Sequence, residues 1–360
     1  MSAHELIIWI MAIFAVLGAL DRILGNKFGL GKEFEEGILA MGSLAMAMIG
    51  IITLAPILAA VLKPVIVPVF RFLGADPAMF AGTILACDMG GGALAQELTA
   101  DPQAALLGGV LAGSMLGATI VFTIPVAMGI LRQEDRPAMA KGILCGIVTI
   151  PIGVLVGGLV AGFPIMMVLR NLIPIVLIAI VIAIGLWKAE KWMIKGFGIF
   201  GKLIIALITV GLVAAIVESL TGFAILPGMA RIEEGFLTVG AIAIVLAGAF
   251  PLVFVLTKLL KKPLMKLGQL LGINDTAAAG LIASLANSIA TFSLVKEMDE
   301  RGKVVNIAFA VSAAFVFGDH LGFTAGFAPE MLPAVIVGKL AGGISAIIVA
   351  LWLTRKDIRR

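Results

Sequence analysis

Long apolar runs separated by short charged stretches set the pattern of this chain. "IPIVLIAIVIAIGLW" (173–187) and "LTVGAIAIVLAGAFPLVFVL" (237–256) carry no charge at all, and about 20 predominantly apolar residues are enough for a helix to cross a bilayer. The runs predict membrane spans at 5–24, 38–62, 105–131, 138–162, 165–187, 198–220, 236–260, 304–328 and 331–353. Two further segments, 78–98 and 277–297, are apolar but interrupted by polar residues and glycines. Short basic stretches at 64–73 and 263–272 precede them and read as connectors along the membrane interface.

The pattern occurs twice. A shift of about 198 positions lays "EEGILAMGSLAMA" (35–47) on "EEGFLTVGAIAIV" (233–245), Ser114 on Ser312 and Lys141 on Lys339. With one residue of adjustment, Asp88 falls on Asn287. Residues 1–162 form the first copy, with the interrupted segment 78–98. Residues 163–195 contribute a linking span, and 196–360 form the second copy, with 277–297. Four spans per copy and one between them invert the second copy relative to the first. Inverted repeats whose broken segments meet near mid-membrane are an architecture of secondary transporters.

Composition agrees with a lipid solvent. Of the 360 residues, 61% are hydrophobic and 13% charged, against about 45–50% and 25% in soluble domains. Basic residues then report orientation, because cytoplasmic loops are enriched in Lys and Arg. If both interrupted segments crossed, the basic loops 132–141, 188–195 and 258–266 would fall outside. If both are re-entrant hairpins, those loops and the "RKDIRR" tail fall inside. The expected fold is therefore an all-α polytopic membrane protein with about nine spans and two re-entrant hairpins. Its N-terminus lies outside and its C-terminus inside the cytoplasmic membrane. The first apolar run has neither a basic leader nor a small-residue cleavage site and reads as a retained span. Cys87 and Cys145, both within apolar segments, read as buried thiols. The net charge of +4 speaks for orientation and not for nucleic acid.

The candidate chemistry sits where the backbone breaks. In "ILACDMGGGALAQEL" (84–98) Asp88 occupies the predicted hairpin tip. A carboxylate at the bilayer centre costs about 2.5–3.5 kcal/mol on insertion scales and marks pathways or partners. Asp88 reads as a counter-charge for a cationic substrate, or else as a helix cap or lysine partner. Gly90, Gly91 and Gly92 permit close backbone approach at the tip or flexibility of a gate. At the matching tip, "LANSIATFS" (285–293), Asn287, Ser288 and Thr291 offer hydrogen bonds to a small ligand, or pack the hairpin. "FGDHLGF" (317–323) adds Asp319, a candidate second carboxylate, and His320, a candidate proton relay near neutral pH; an Asp–His hydrogen bond is the plainer alternative. Lys339, inside an apolar span, reads as an ion-pair partner for a hairpin carboxylate. No Walker A sequence and no His/Cys cluster occurs, so neither ATP-driven transport nor a metal or other cofactor is expected, and no catalytic residue stands out.

Nearly end to end, the chain resembles the EutH ethanolamine permeases of the bacterial ethanolamine utilization system. The resemblance is carried by "FEEGILAMGSLAMAM" (34–48), "MFAGTILACDMGG" (79–91), "GIVTIPIGVLVGGLVA" (146–161), "MDERGKVVNIAFAVSAAFVFGDHLGF" (298–323) and "VGKLAGG" (337–343). It implies import of ethanolamine across the cytoplasmic membrane, with ethanolamine and the lipid bilayer as partners and homo-oligomerisation left open. The compact stretches at 162–164 and 227–233 put loop contacts, not the core, in question. Two rivals are weighed. A passive channel for small amines differs in lacking saturation and counter-flow. An intramembrane aspartyl protease would use Asp88 and Asp319 as a proton-sharing pair, but the stretch before Asp319 reads Val316-Phe317-Gly318, without the Gly-x-Gly-Asp motif, and the repeat pairs Asp88 with Asn287.

Overall fold

The computed structural model describes residues 2–355, all of whose regular structure is helical; the basic tail 356–360 lies outside the described residues. Among the described residues, eight helices are long and apolar enough to cross a membrane: α1 (Ala3–Ile23), α2 (Leu30–Phe72), α5 (Pro102–Ile130), α6 (Gln133–Val160), α7 (Ile165–Ala189), α8 (Lys191–Thr221), α9 (Ile232–Leu271) and α14 (Pro329–Leu353). Between them lie the short helices α3 (Ala78–Ile84), α4 (Gly91–Leu98), α10 (Asp275–Ala286), α11 (Ser288–Leu294), α12 (Glu300–Ala313) and α13 (Asp319–Phe327). Many large apolar side chains on the outside of the bundle are exposed, among them Trp9, Val181, Leu237 and Ile348. That surface is suited to lipid.

α2 and α9 are antiparallel and touch through glycines: a Cβ on Gly37 would stand 2.5 Å from the Leu246 backbone, and one on Gly235 would stand 3.0 Å from Ile49. The stretches 64–73 and 263–272, expected as separate connectors, instead continue α2 and α9. At ~1.5 Å per residue, the 43 residues of α2 run about 65 Å and extend well beyond a hydrocarbon core. α7 and α8 meet at Ala189 (φ −141°, ψ 41°).

Both interrupted segments turn back on themselves. In the first, α3 and α4 return to a shared mouth, where the Thr99 hydroxyl donates to Asp76 at 2.8 Å and the Asp76 amide to Asn171 at 2.7 Å. In the second, α10 and α11 do the same: the Asn274 side chain donates to the Glu297 carbonyl at 3.0 Å and its amide to Asp299 at 2.8 Å. α5 starts beside the first mouth. Just beyond its far end, Asp135 pairs with Lys303 at 2.7 Å, four residues from Asp299 of the second mouth. The two mouths therefore lie on opposite faces of the helical layer.

The expected span 304–328 departs from a continuous helix. It runs from Lys303 on one face to Glu330, which lines a cavity with Thr99 and Pro102 on the other, but it is broken between α12 and α13. Phe315 adopts a left-handed conformation (φ 62°). The amides of Phe315 and Phe317 donate to the carbonyls of Ser284 (3.1 Å) and Leu285 (2.9 Å) at the second hairpin's tip. Two broken helices thus satisfy one another's backbones. Gly318 is required there, since a Cβ would stand 2.2 Å from the Ala286 carbonyl oxygen.

This arrangement predicts paired accessibility. In a background lacking Cys87 and Cys145, single cysteines replacing Arg71 and Gln103 should react with an impermeant thiol reagent from one face. Those replacing Asp275 and Lys296 should react from the other. Labelling of Arg71 and Gln103 positions from different faces would show that the first segment crosses.

Candidate functional site

The first hairpin's tip is a tight turn, Cys87–Met89, closed by amides of Met89 and Gly91 donating to the Ala86 carbonyl. Gly90 (φ 91°) follows, packed so closely that a Cβ would meet Ile51 of α2 at 2.1 Å. Gly91 and Gly92 are likewise pressed, against the Ala86 carbonyl (2.7 Å) and Phe323 of α13 (2.9 Å). The three glycines let the tip wedge between α2 and α13. Behind it the middle of α5 is wound with i→i+5 hydrogen bonds over Leu106–Gly117, a rare form often found at functional sites, and Gly117 comes close against the Leu85 carbonyl.

The tip delivers Asp88 to His320, with Oδ1 at 3.7 Å from Nε2. The other ring nitrogen, Nδ1, lies 3.1 Å from the Lys339 ammonium, which also donates to the Ser114 carbonyl of α5. His320 and Lys339 are 3% and 1% exposed. An ammonium has only protons to give. The hydrogen-bond pattern therefore assigns Nδ1 as acceptor and puts the ring proton on Nε2, facing Asp88. The side chains form a chain, Lys339 to His320 to Asp88, that spans α14, α13 and the first hairpin. Cys87 joins with its thiol 4.0 Å from Asp88 Oδ1. Cys87, Asp88 and His320 hold donor atoms within 4.8 Å of one another, the set a metal would use. It does not fit an ion here, because Nε2 carries the ring proton and the neighbouring ammonium opposes a second cation.

Asp319 is placed differently. It is the first residue of α13, at the end whose free amides favour negative charge. It has no hydrogen bond or ion pair to any described residue. It lines a cavity of about 360 Å³ with Asn287, Phe317, Phe250, Phe254, Glu33 and Lys258. Glu33 and Lys258 lie towards the face of the second mouth, and the Lys258 ammonium sits 3.9 Å above the Phe254 ring. The cavity thus leads from that face to the level of both helix breaks, ending at a carboxylate without a partner.

Of the remaining sequence candidates, Asn287 lines the cavity while its side-chain oxygen caps α11, accepting from the Ile289 amide at 2.7 Å. Thr291 is engaged within the hairpin, bonded to the Ser284 hydroxyl at 2.8 Å and donating to the Gly280 carbonyl at 2.9 Å. Ser288 is buried, and its hydroxyl has no partner. Lys339 meets His320 and a carbonyl, with Asp88 beyond the imidazole. Sequence reasoning missed Phe250, Phe254, Glu33 and Lys258. The spacing of Phe254 and Lys258, one helical turn apart, was the available signal.

A family profile described as "Ethanolamine utilisation protein, EutH" matches residues 3–353. The chain belongs to the EutH family. It is 60% identical over its whole length, and 96% of the relative's, to the "Probable ethanolamine permease EutH" of Listeria monocytogenes. It is 52% identical to the "Uncharacterized protein YxeR" of Bacillus subtilis, over 98% of this chain and 96% of that one. To the "Probable ethanolamine permease EutH" of Salmonella typhimurium it is 48% identical, over 99% and 97%. No solved structure matches it. Family and apolar helices together make this EutH-family chain a multi-pass membrane protein.

The glycine packing predicts a contrast. Gly90→Ala adds a left-handed non-glycine residue, about 1–2 kcal/mol, and overpacking of about 1–3 kcal/mol. It should lower thermal stability in detergent well below that of Gly42→Ala, where nothing stands within 4 Å of the new methyl. Equal melting of the two variants would contradict this packing.

Proposed function

We propose that this protein is a permease that brings ethanolamine, as its ammonium cation, across the cytoplasmic membrane by alternating access. One observation carries the reading: Asp319, an unpartnered carboxylate, ends a cavity at the depth where two helices break. Relatives named probable ethanolamine permeases supply the substrate. An alkylammonium with a hydroxyl two carbons away suits a carboxylate beside an amide, Asp319 and Asn287, with Phe250, Phe254 and Phe317 excluding water around the carbons. Ring faces attract ammonium groups, as Lys258 does on Phe254. The opposed hairpins support the inverted-repeat division 1–162 and 196–360 about the linking segment 163–195. The count of basic loops supports placing the second mouth and the C-terminus in the cytoplasm, so that the cavity faces inward.

Two tests bear on this reading. In proteoliposomes, Asp319→Asn should reduce saturable ethanolamine counter-flow about tenfold or more, the worth of a charge-assisted hydrogen bond of about 1.5–3 kcal/mol. Asp88→Asn should also lose it, because Lys339 is then left without its balancing charge. Counter-flow unchanged in Asp319→Asn would remove that carboxylate from the site, and flux without saturation or counter-flow would indicate a channel.

The second test uses the substrate's titration. An alkyl amine resembles a lysine side chain, with a reference pKa of about 10.4 that a neighbouring hydroxyl lowers somewhat. The neutral fraction that crosses lipid unaided therefore falls about tenfold for each pH unit below the amine's pKa. The ratio of uptake with the protein to uptake without it should rise on going from mildly alkaline to mildly acidic medium at low substrate. A flat or falling ratio with folded protein would count against recognition of the cation.

A further inference from the structure

We propose that Lys339 sets the charge of the substrate that the site accepts: it neutralises Asp88 through His320, leaves Asp319 as the uncompensated carboxylate at the inner end of the cavity, and so restricts the carrier to amines bearing a single positive charge. The inference rests on the reading of Asp319 as the partner of the substrate's ammonium.

Beside the Cys87 thiol, the ionisable side chains at the helix breaks are the part-buried carboxylates of Asp88 and Asp319 and the buried His320 imidazole and Lys339 ammonium. Lys339 cannot reach solvent: it is 1% exposed, and its ammonium is held by the Ser114 carbonyl and His320 Nδ1. His320, accepting at Nδ1 and protonated at Nε2, is neutral. Asp88, 3.7 Å from that nitrogen, and Lys339 therefore cancel. The cancellation holds wherever the proton between them resides, because moving it from the ammonium to the carboxylate leaves the pair neutral. Asp319 stands outside this chain and in the cavity. Glu33 and Lys258, one charge of each sign, line the same cavity further towards the face of the second mouth, so at its inner end the charge to be supplied from outside the protein is one.

Charge balance of this kind selects against a dication more strongly than against a longer monocation. A second ammonium near the neutral trio would meet no free carboxylate in a poorly screening interior, where a charge without a counter-charge is costly. Without the lysine charge, Asp88 becomes a second free carboxylate and the same space favours a second ammonium. A lysine that only filled volume would give no such exchange of preference.

The experiment is competition against labelled ethanolamine exchange in proteoliposomes at pH 8, above the ordinary imidazole pKa of about 6.5. Both amines of 1,3-diaminopropane are then predominantly protonated, alkyl ammonium groups titrating near about 10. The matched monocation is 3-aminopropan-1-ol, of the same chain length. In the wild type, 3-aminopropan-1-ol should compete and 1,3-diaminopropane should not. In Lys339→Met the diamine should gain at least about tenfold in potency relative to the amino alcohol. The double variant Asp88→Asn/Lys339→Met removes one charge of each sign. It should recover ethanolamine exchange relative to Asp88→Asn alone and exclude the diamine again.

Equal competition by the two compounds in the wild type would overturn the proposal whatever the variants do. So would an unchanged ratio in Lys339→Met or, if that variant does not insert, a double variant that fails to recover exchange. Absence of saturable ethanolamine exchange in the wild type would instead remove the permease reading on which the inference rests.

Discussion

Backbone satisfaction in a waterless layer is the constraint on which this structure depends. Each unpaired amide or carbonyl in hydrocarbon costs several kcal/mol, so a helix can break at mid-membrane only where another broken segment supplies the missing partners. The stretch between α12 and α13 and the tip between α10 and α11 do this for each other, through Phe315 to Ser284 and Phe317 to Leu285. The first hairpin solves the same problem locally, with the Ala86 carbonyl taking two amides of its own turn. Once the helices are broken, helix starts and polar side chains can be set at a depth that an unbroken span would fill with apolar surface. Asp319, at the start of α13, exists as a mid-membrane carboxylate because of that exchange.

The chain's apolar periodicity carried most of the fold. The long spans and both hairpins were legible because each depends on runs of 20 or so residues or on an interruption of them. The repeat reinforced the hairpins by aligning "ILACDMGGG" with "ASLANSIAT". The break at 314–318 was not legible. "AFVFG" is as apolar as any span, and one glycine does not end a helix in lipid. What ends it is the pair of carbonyls offered by Ser284 and Leu285, some thirty residues away. The extension of α2 and α9 through 64–73 and 263–272 also escaped the reading, because their basic side chains suggested interfacial connectors where the helices continue.

The site divides in the same way. Asp88, Asn287, Asp319, His320 and Lys339 stand out in sequence because polar residues are rare in such runs, and the structure gathers all five near the helix breaks. Their division of labour could not be read. Whether a buried carboxylate faces a protein cation or an empty space depends on neighbours from three elements, and the repeat gave no guide to His320, whose counterpart position holds Phe122. Thr291 shows the converse: a hydroxyl at the right tip, directed by Ser284 and the Gly280 carbonyl into the hairpin itself.

Each hairpin is closed at its mouth by short side-chain bonds, Thr99 to Asp76 in the first and Asn274 to Glu297 and Asp299 in the second. A closed staple of this sort cannot splay its legs without losing the bonds at its base. A shift that kept those bonds would move it as one piece. For the first hairpin the surface available for such a shift is α5, where Gly108 and Gly117 bring bare main chain against the backbone of α3 and Leu85. Side chains that interlock resist sliding, whereas glycine surfaces present few knobs to catch. The same small residues that bring the tip close enough to hold Asp88 against His320 therefore make its seat a bearing surface.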